Sequence, residues 1–395
     1  MPENNNELTG ALHGCRVLDL TRLLPGPLAT WMLHRLGAEI IKVESPKIMD
    51  YLRITPPLVD GVNPTYRMLN EGKRHIALDL KDEKARAALF QLLETTDILV
   101  EQFRPGVLSR LGMDPEELRA RFPKLIIASI TGYGQSGPYA KRAGHDLNYQ
   151  ATAGLLARTD SRPQNTIPTY QPADVAGGSY YAISSILAAM LKRGITGQGI
   201  HLDISMTEGA LPLGIVNICS QIAAPDQDLT FNSTLQGGVA CYNLYQCRDG
   251  RMISVAGLEP KFWVAFCEAV ERPDWIPIQM DFSQSDTLIE ELSALFVSED
   301  ASYWARKFEN IDCCIELVAL PGELHQHPQH RSRGVFEEGP LLRLPALEAT
   351  GPGATDSSTD HRFGAETRPI LESIGLEAKD VEDLFARQVA LQAED

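Results

Sequence analysis

Hydrophobic residues follow two alternating periods through the first third of the chain. Short apolar runs typical of buried strands alternate with stretches in which apolar residues recur at helical spacing. The predicted strands are Arg16–Leu20, Ala38–Glu44, His75–Leu80, Asp97–Glu101 and Leu125–Ile130. The predicted helices between them are Leu28–Leu36, Asp82–Glu94 and Pro115–Arg121. Because strand–helix–strand units of this length form parallel pairs, the pattern predicts an α/β fold with a Rossmann-type, doubly wound parallel sheet.

The pattern changes in the second half of the chain. A helical stripe runs from Ser179 to Lys192, and a strand-like run follows at Ile200–Ile204. Further on, an Asp-Gly pair at 249–250 between two apolar runs predicts a β-hairpin over Tyr242–Ala256, since Asp-Gly favours tight hairpin turns. The remaining predicted helices are Phe262–Val270, Thr287–Phe296 and an acidic one from Ala378 to about Gln392.

Polar, irregular stretches divide the chain into two predicted domains. The stretch from Asp226 to about Gln236 and the Gly-, Pro-, Ser- and Thr-rich stretch 349–362 show no apolar period. We therefore expect a large Rossmann-type domain built from 1–225 and 331–395, and a smaller α+β domain over 226–330. A length of 395 residues favours two domains over one.

Composition and charge narrow the class of protein. With 44% hydrophobic and 22% charged residues, the chain is typical of a globular protein. A net charge of −16 disfavours nucleic acid and anionic membrane surfaces as partners. Seven cysteines without metal-ligand spacing favour a reducing compartment, and residues 1–6 lack the basic and apolar regions of a signal peptide. We expect a cytoplasmic protein that does not bind membranes.

Two side chains stand out as a candidate acid–base pair. His145 follows Gly144 in a short loop, and Asp174 precedes Gly177-Gly178 at the start of an apolar helix, where the glycines leave room for a ligand near the backbone. An imidazole and a carboxyl group suit proton transfer when both pKa values lie near neutrality. Asp174 also stands where a helix N-cap belongs, and there the helix keeps a carboxylate ionised. A turn role for His145 and a capping role for Asp174 are the structural alternatives.

Seven segments, spread nearly end to end, carry a resemblance to a known superfamily. They are Leu12–Thr21, Leu36–Glu44, Glu101–Val107, Thr131–Pro138, Gly144–Tyr149, Gly197–Gly199 and Gly257–Phe262. In this order they resemble the family III CoA-transferases and alpha-methylacyl-CoA racemases. The resemblance implies a Rossmann-type large domain built from both ends of the chain, a small domain, and a homodimer whose subunits interlock as linked rings. It implies coenzyme A as part of an acyl-CoA substrate, and no other cofactor.

Three motifs mark the racemase branch of that superfamily. They are Gly-His-Asp-x-Asn-Tyr, an Asp before Gly-Gly, and Glu-Pro-x-Phe, which are present here at His145, Asp174 and Glu259. Resemblance to that branch implies that His145 and Asp174 flank the α-carbon of a 2-methylacyl-CoA, with Glu259 hydrogen-bonded to the imidazole. Many transferases of the superfamily, however, carry a valine after the aspartate, as this chain does at Val175. A CoA-transferase with a covalent intermediate on Asp174, and a CoA-binding protein without catalysis, are the alternatives.

Coenzyme A carries several phosphate charges, so an acidic chain needs a local cluster of cations to bind it. The candidates are Lys42, Lys73, Arg74, Arg104, Lys141 and Arg142, to which the first racemase motif adds Tyr149. Arg104 is favoured because Arg-Pro-Gly directly after a strand puts a planar donor at the carboxyl edge of the sheet. The first turn, Thr21–Pro27, lacks the glycine fingerprint of dinucleotide sites. No metal site is expected, because no carboxylate or cysteine is spaced to complete one with His325–His330.

Overall fold

Parallel strands that follow the predicted apolar runs form the central sheet. The computed structural model describes residues 10–157, 167–226, 230–336, 342–344 and 361–393. Its strands are β1 (Arg16–Leu20), β2 (Glu39–Glu44), β3 (Arg74–Leu78), β4 (Ile98–Glu101), β5 (Ile126–Thr131), β6 (His201–Ser205), β7 (Tyr242–Gln246), β8 (Met252–Ala256), β9 (Ile315–Leu317) and β10 (Ala390–Leu391). The predicted strands up to β6 are confirmed to within about two residues at each end.

Helices fill the connections between these strands. They are α1 (Pro25–Arg35), α2 (Pro64–Leu69), α3 (Glu83–Leu93), α4 (Val107–Arg110), α5 (Pro115–Arg121), α6 (Asp146–Thr152), α7 (Tyr181–Thr196), α8 (Met206–Ala210), α9 (Ile215–Ala223), α10 (Pro260–Ala269), α11 (Ser285–Phe296), α12 (Ala301–Phe308), α13 (Pro328–Ser332), α14 (Thr367–Ser373) and α15 (Ala378–Ala386). A π-helical segment, Ala173–Tyr180, runs directly into α7. Short 3₁₀ helices stand at Tyr51–Ile54, Leu211–Gly214, Thr230–Gln236, Pro273–Ile278 and Pro321–Gln326.

The strand order of the large sheet is that of a Rossmann fold. The strands lie in the order β10-β3-β2-β1-β4-β5-β6. β1 is central: Val17 pairs in parallel with Ile40 on one side and with Ile98 on the other. Only β10 is antiparallel, where it pairs with β3 at the edge. The chain thus winds outward from β1 in both directions, and the order reverses between β1 and β4, the place where such sheets bind ligands.

Both faces of this sheet are covered by helices, which is why its strands read as nearly continuous apolar runs. On one face Val17 and Ile98 belong to a core shared with buried residues of α1 and α7, such as Trp31. On the other face Leu18 and Leu99 belong to a core shared with α3, α5, α14 and α15. Successive strand residues point to opposite faces, so a single apolar strand supplies both cores.

The described chain forms two compact units. The first holds residues 10–155 and 167–213 together with the described part of 328–393, and the second holds the described part of 214–327. In the second unit β7 and β8 form the predicted hairpin around Gly250, and β9 adds a third antiparallel strand. Aromatic side chains of α10 and α11, such as Phe266 and Phe296, stack in its core with ring centroids 6.2 Å apart.

Two parts of the second half differ from expectation or lie outside the description. The last helix ends at Ala386 rather than near Gln392, since Gln388 adopts a φ of 55° and the chain then forms β10. Most of the predicted linker 349–362 lies outside the described residues. Within the described ranges, none of the helices combines the length and the apolar character needed to cross a bilayer.

Candidate active site

A cleft of about 550 Å³ opens at the carboxyl ends of the central strands, within the first unit. Residues that follow β1, β2, β4 and β5 line it, and the loop that leads into α6 and the start of the π-helical segment close one side. The switch in strand order between β1 and β4 therefore lies at its floor. His145, Asp174, Arg104 and Tyr149 all line this cleft, so the structure brings these four predicted residues together.

His145 stands at the end of the loop that precedes α6, with its side chain exposed to the cleft. Its backbone N–H donates a hydrogen bond of 3.0 Å to Oδ1 of Asn148, the third residue of the helix. The side chain of Asn148 therefore closes the first turn of α6 and fixes the backbone from which the imidazole projects. This is the structural reason for an asparagine three residues after the histidine in the motif.

Asp174 is the second residue of the π-helical segment, and its side chain is partly buried. The N–H groups of Ala173 and Asp174 both donate to Oδ1 of Asp146, at 2.8 and 2.9 Å. The prediction that Asp174 is the N-cap is wrong, because Pro172 occupies that position and Asp146 of the preceding helix accepts the hydrogen bonds that an N-cap side chain would accept. Burial, and then the nearby charge of Asp146, raise the pKa of Asp174 to about 7. This direction is opposite to the expectation that the helix favours the ionised form of Asp174.

The glycines after Asp174 serve packing rather than ligand access. A Cβ atom on Gly177 would lie 2.2 Å from the carbonyl oxygen of Met206 in α8, and one on Gly178 would lie 2.9 Å from Cβ of Pro25 in α1. Both glycines are buried, so the backbones of the π-helical segment and α8 approach more closely than any side chain permits. The prediction that they leave space for a ligand is not what the structure shows.

Tyr149 is largely buried and forms part of one wall of the cleft. Its hydroxyl donates to the carbonyl oxygen of Gly144 at 2.5 Å, and its ring packs edge-on against Tyr133 with centroids 5.2 Å apart. Burial and the neighbouring carboxyl group of Asp174 raise the pKa of Tyr149 to about 12, so the phenol stays protonated at neutral pH. The hydrogen bond to Gly144 ties α6 back to the loop that carries His145.

Arginine side chains give the cleft a positive rim. Arg104, as predicted from its place after β4, is exposed and lines the cleft together with Arg22 and Arg142. A hydrogen bond fixes the loop that carries Arg104, because the carboxylate of Glu101 accepts from the N–H of Phe103 at 2.6 Å. Burial raises the pKa of Glu101 to about 7, against the opposing effect of its hydrogen bonds from Ser129 and Phe103.

The other predicted cations do not line the cleft, and two of them are buried. Lys42 is fully buried and donates to the carbonyl oxygen of Thr21 at 2.8 Å. Lys73 is also buried, with its ammonium group 3.1 Å from the carboxylate of Asp19. A buried ammonium group held by protein acceptors is not available to a phosphate.

Arg74 and Lys141 fall outside the cleft for different reasons. Arg74 begins β3, at the amino edge of the sheet, where it forms ion pairs of 3.0 Å with Glu39 and 3.1 Å with Glu366. Lys141 is exposed beside the cleft, but its neighbours Ala140 and Arg142 line the cleft in its place.

Glu259 belongs to the second unit, where it directly precedes α10 with its side chain exposed. The helix begins at Pro260, and proline is favoured at the first position of a helix. In the parts of the chain that the structure describes, three or more potential ligands nowhere gather as they would around a metal ion.

Three residues of the cleft or its support were missed at the level of the sequence: Arg22, Glu101 and Asp146. Arg22 is the second residue after β1, a position similar to that of Arg104, which is the third residue after β4. Asp146 stands inside the quoted histidine motif, and acidic residues are favoured in the first turn of a helix. The partners of Asp146 lie 27 and 28 residues further along the chain, and no sequence pattern shows that contact.

A known protein family matches most of the chain. Residues 12–369 match the family model described as CoA-transferase family III. The chain belongs to this family. The resemblance drawn from the motifs is thereby confirmed.

Relatives with different reactions are similar to the chain at nearly the same level. The human alpha-methylacyl-CoA racemase is 30% identical over 96% of this chain and 97% of its own length. The human succinyl-CoA:glutarate CoA-transferase is 32% identical over 91% of this chain and 87% of its own length. Among solved structures, the hypothetical protein Rv3272 of Mycobacterium tuberculosis superposes with a TM-score of 0.72, at 27% identity, over 90% of this chain and 98% of that protein. The chain is thus similar to a family of enzymes that contains both racemases and CoA-transferases.

Proposed function

We propose that the protein is an acyl-CoA racemase that inverts the α-carbon of a 2-methylacyl-CoA thioester by proton transfer. One observation carries the proposal: His145 and Asp174 line the same cleft. Burial, and then the charge of Asp146, raise the pKa of Asp174 to about 7, which is in keeping with it. A carboxyl group with that pKa can take up a proton and give it back near neutral pH, as a base on one side of an invertible centre must.

The proposed reaction needs two groups that differ in protonation. The ionised member of the pair removes the α-proton, which the thioester carbonyl acidifies, and leaves an enolate. The protonated member then delivers a different proton to the opposite side of the same carbon. His145 and Asp174 exchange these states after each turnover, so either enantiomer is accepted. Coenzyme A enters only as part of the substrate.

A CoA-transferase is the second candidate, and a specific observation favours it. The carboxyl group of Asp174 is only partly buried and lines the cleft, as a nucleophile must. In that reaction the carboxylate attacks the thioester carbonyl and releases the CoA thiolate, which leaves a mixed anhydride on Asp174. The thiolate then attacks the aspartyl carbonyl of this anhydride, which gives an Asp174 thioester and releases the original acyl group as a free carboxylate. The relatives named as CoA-transferases support this reading. It leaves His145 without a chemical task, which is why we place it second.

Solvent exchange separates the two reactions. We expect the protein, given an (R)- or (S)-2-methylacyl-CoA in deuterated water, to incorporate deuterium at C2 and to lose optical purity. His145→Ala is expected to slow this exchange by roughly 10²- to 10⁴-fold, the usual contribution of a general acid or base. His13→Ala, which removes an exposed histidine at another place in the first unit, is the matched control and is expected to leave the rate unchanged.

The two alternatives to a racemase predict different results in the same experiment. Without exchange at C2, but with an Asp174-linked CoA seen by mass spectrometry once an acceptor acid is supplied, the protein is a transferase. Tight binding of acyl-CoA with neither exchange nor adduct identifies a CoA-binding protein without catalysis. That third reading is disfavoured because the surroundings of Asp174 tune its pKa to neutrality, which binding alone does not require.

We also propose that the protein is a homodimer. Apolar side chains of α9 stand exposed on the single chain, with 52% of Ile215, 56% of Val216 and 78% of Ile222 accessible. Such a surface usually marks a protein interface. Light scattering at micromolar concentration is expected to give twice the mass of one chain, and a monomeric mass contradicts the proposal.

A further inference from the structure

Asp146 is a buried carboxylate beside the cleft that the proposed reaction does not use directly. Only 9% of the residue is accessible. Its Oδ1 accepts the hydrogen bonds from the N–H groups of Ala173 and Asp174, and its Oδ2 accepts one from the side-chain amide of Gln150, which is itself buried. One side chain therefore connects the first turn of α6, directly after His145, to the first turn of the π-helical segment that carries Asp174.

We propose that Asp146 is a positioning residue for Asp174, which it holds towards the cleft through the backbone and influences through its negative charge. The inference rests on the function proposed for the pair of His145 and Asp174. It deepens that function, because it assigns the regulation of proton uptake to a residue that does not itself line the cleft.

The backbone geometry supports the positioning role. The first N–H groups of any helical segment lack partners within it, and a buried N–H group without a partner destabilises the segment. Asp146 satisfies two of them with a single oxygen. The segment is further held by Ser179, whose hydroxyl donates to the carbonyl oxygen of Pro25 at 2.8 Å. The position of Asp174 is thus determined from both ends of the π-helical segment.

Electrostatics supports the second role. After burial, the charge of Asp146 is the cause that raises the pKa of Asp174. Other titratable or charged groups of the cleft include Tyr149 of α6, whose phenol stays protonated at neutral pH, and His145, Arg104, Arg22 and Arg142, which line the same cleft as Asp174. Among these groups Asp146 is the one whose negative charge opposes ionisation of Asp174, so removing that charge is expected to favour the carboxylate.

The test uses two substitutions in the full-length protein. Asp146→Asn keeps an oxygen that can accept from both N–H groups but removes the charge, whereas Asp146→Ala removes both. We expect the titration of Asp174, followed by ¹³C NMR of aspartate-labelled protein and assigned with Asp174→Asn, to move down by about one pH unit in Asp146→Asn. The acid limb of kcat/KM for α-proton exchange is expected to move with it. Asp146→Ala is expected to lower kcat by more than about tenfold, because Asp174 is no longer held in place.

Asp114→Asn is the matched control, because Asp114 accepts from the N–H of Glu116 at the start of α5, away from the cleft. It is expected to leave the titration of Asp174 unchanged. If Asp146→Asn also leaves it unchanged, the inference is overturned, whichever reaction the enzyme catalyses. If the titration moves but the parent protein exchanges no α-proton, the proposed function fails and the inference stands.

Discussion

The ammonium group of Lys73 lies 3.1 Å from the carboxylate of Asp19, and both side chains are fully buried. Lys73 also donates to Oγ1 of Thr30 at 2.8 Å and to the carbonyl oxygen of Pro27 at 2.9 Å, both in the first turns of α1. Asp19 in turn accepts from the N–H of Thr21 at 2.9 Å. The pair therefore fixes the turn between β1 and α1, which forms part of the cleft.

We expect the loss of one partner of this pair to lower the stability of the fold more than the loss of both. Burial alone raises the pKa of Asp19, but the ammonium groups of Lys73 and Lys42 and the nearby hydroxyls hold it well below its usual range. Lys73→Met removes one compensating charge and is expected to lower the free energy of unfolding by about 3–5 kcal/mol. The double variant Asp19→Asn/Lys73→Met is expected to recover much of that loss, as measured by urea denaturation.

A surface pair provides the comparison. Lys84 lies 2.8 Å from Asp383, but 54% and 37% of the two side chains are accessible. Lys84→Met is expected to change stability by less than about 1 kcal/mol, because water screens exposed pairs. Equal costs for the two lysine substitutions would contradict the structural role assigned to Lys73.

Gly177 is predicted to tolerate no side chain. The Cβ of Gly177→Ala would meet the carbonyl oxygen of Met206 at 2.2 Å, so the π-helical segment must move away from α8. We expect a loss of about 1–3 kcal/mol, as for other overpacked sites, together with weaker catalysis. Gly194→Ala in α7 is the control, because no described atom outside the adjoining backbone of its own helix lies within 4 Å of the added Cβ. There the better helix propensity of alanine is expected to raise stability by up to about 1 kcal/mol, and thermal melts of both variants test the pair.

The sheet could be predicted from the sequence because its strands are buried on both faces. Leu18 and Val17 pack into cores on opposite faces of the sheet, so the apolar run of β1 is continuous and easy to recognise. The same argument identifies the error at Lys42. A lysine within a strand that is covered on both sides must itself be buried, and it was instead counted among the cations available to a ligand.

The candidate site was predictable only in part. Arg104 and Arg74 have the same chemistry, but one follows a strand and the other begins one, and this distinction alone assigns them to opposite edges of the sheet. The sequence placed the start of the helix close to Ala173, but the contact that holds this start could not be predicted. It depends on Asp146, a partner 27 residues away in sequence, and the polar residues before Gly177 carry no helical period.

Binding of coenzyme A is predicted to distinguish the two arginines. Arg104 lines the cleft, so Arg104→Ala is expected to weaken CoA binding roughly tenfold to a hundredfold, the range for a lost charge-assisted hydrogen bond. Arg74→Gln breaks ion pairs at the amino edge and is expected to leave the affinity unchanged. Calorimetric titration of CoA into each variant is the measurement. An unchanged affinity in Arg104→Ala would show that the phosphates bind elsewhere.

The last prediction is that Asp174 changes the stability of the folded protein by an amount that depends on pH. The pKa of Asp174 is raised to about 7 in the folded protein, while an unfolded aspartate titrates near about 4. Unfolding therefore releases a proton between these values, and the contribution of Asp174 to stability, fully present below about pH 4, is lost as the pH rises through about 7. Asp174→Asn has no charge to bury. The variant is expected to melt at the same temperature as the parent near pH 4 and several degrees higher at pH 8, while losing activity.

The direction of this pH dependence distinguishes Asp174 from a carboxyl group outside the cleft. At Asp114 the hydroxyl of Ser109 and the N–H of Glu116 lower the pKa, so the ionised form is favoured in the folded protein. Asp114→Asn is therefore expected to lower the melting temperature at pH 8 and to matter little at pH 3, the reverse of Asp174→Asn. Melting curves of both variants between pH 3 and 8 decide the point. A variant at Asp174 that destabilises at alkaline pH would mean that the carboxylate is held by favourable contacts, which suits a permanently ionised nucleophile better than a group that exchanges protons.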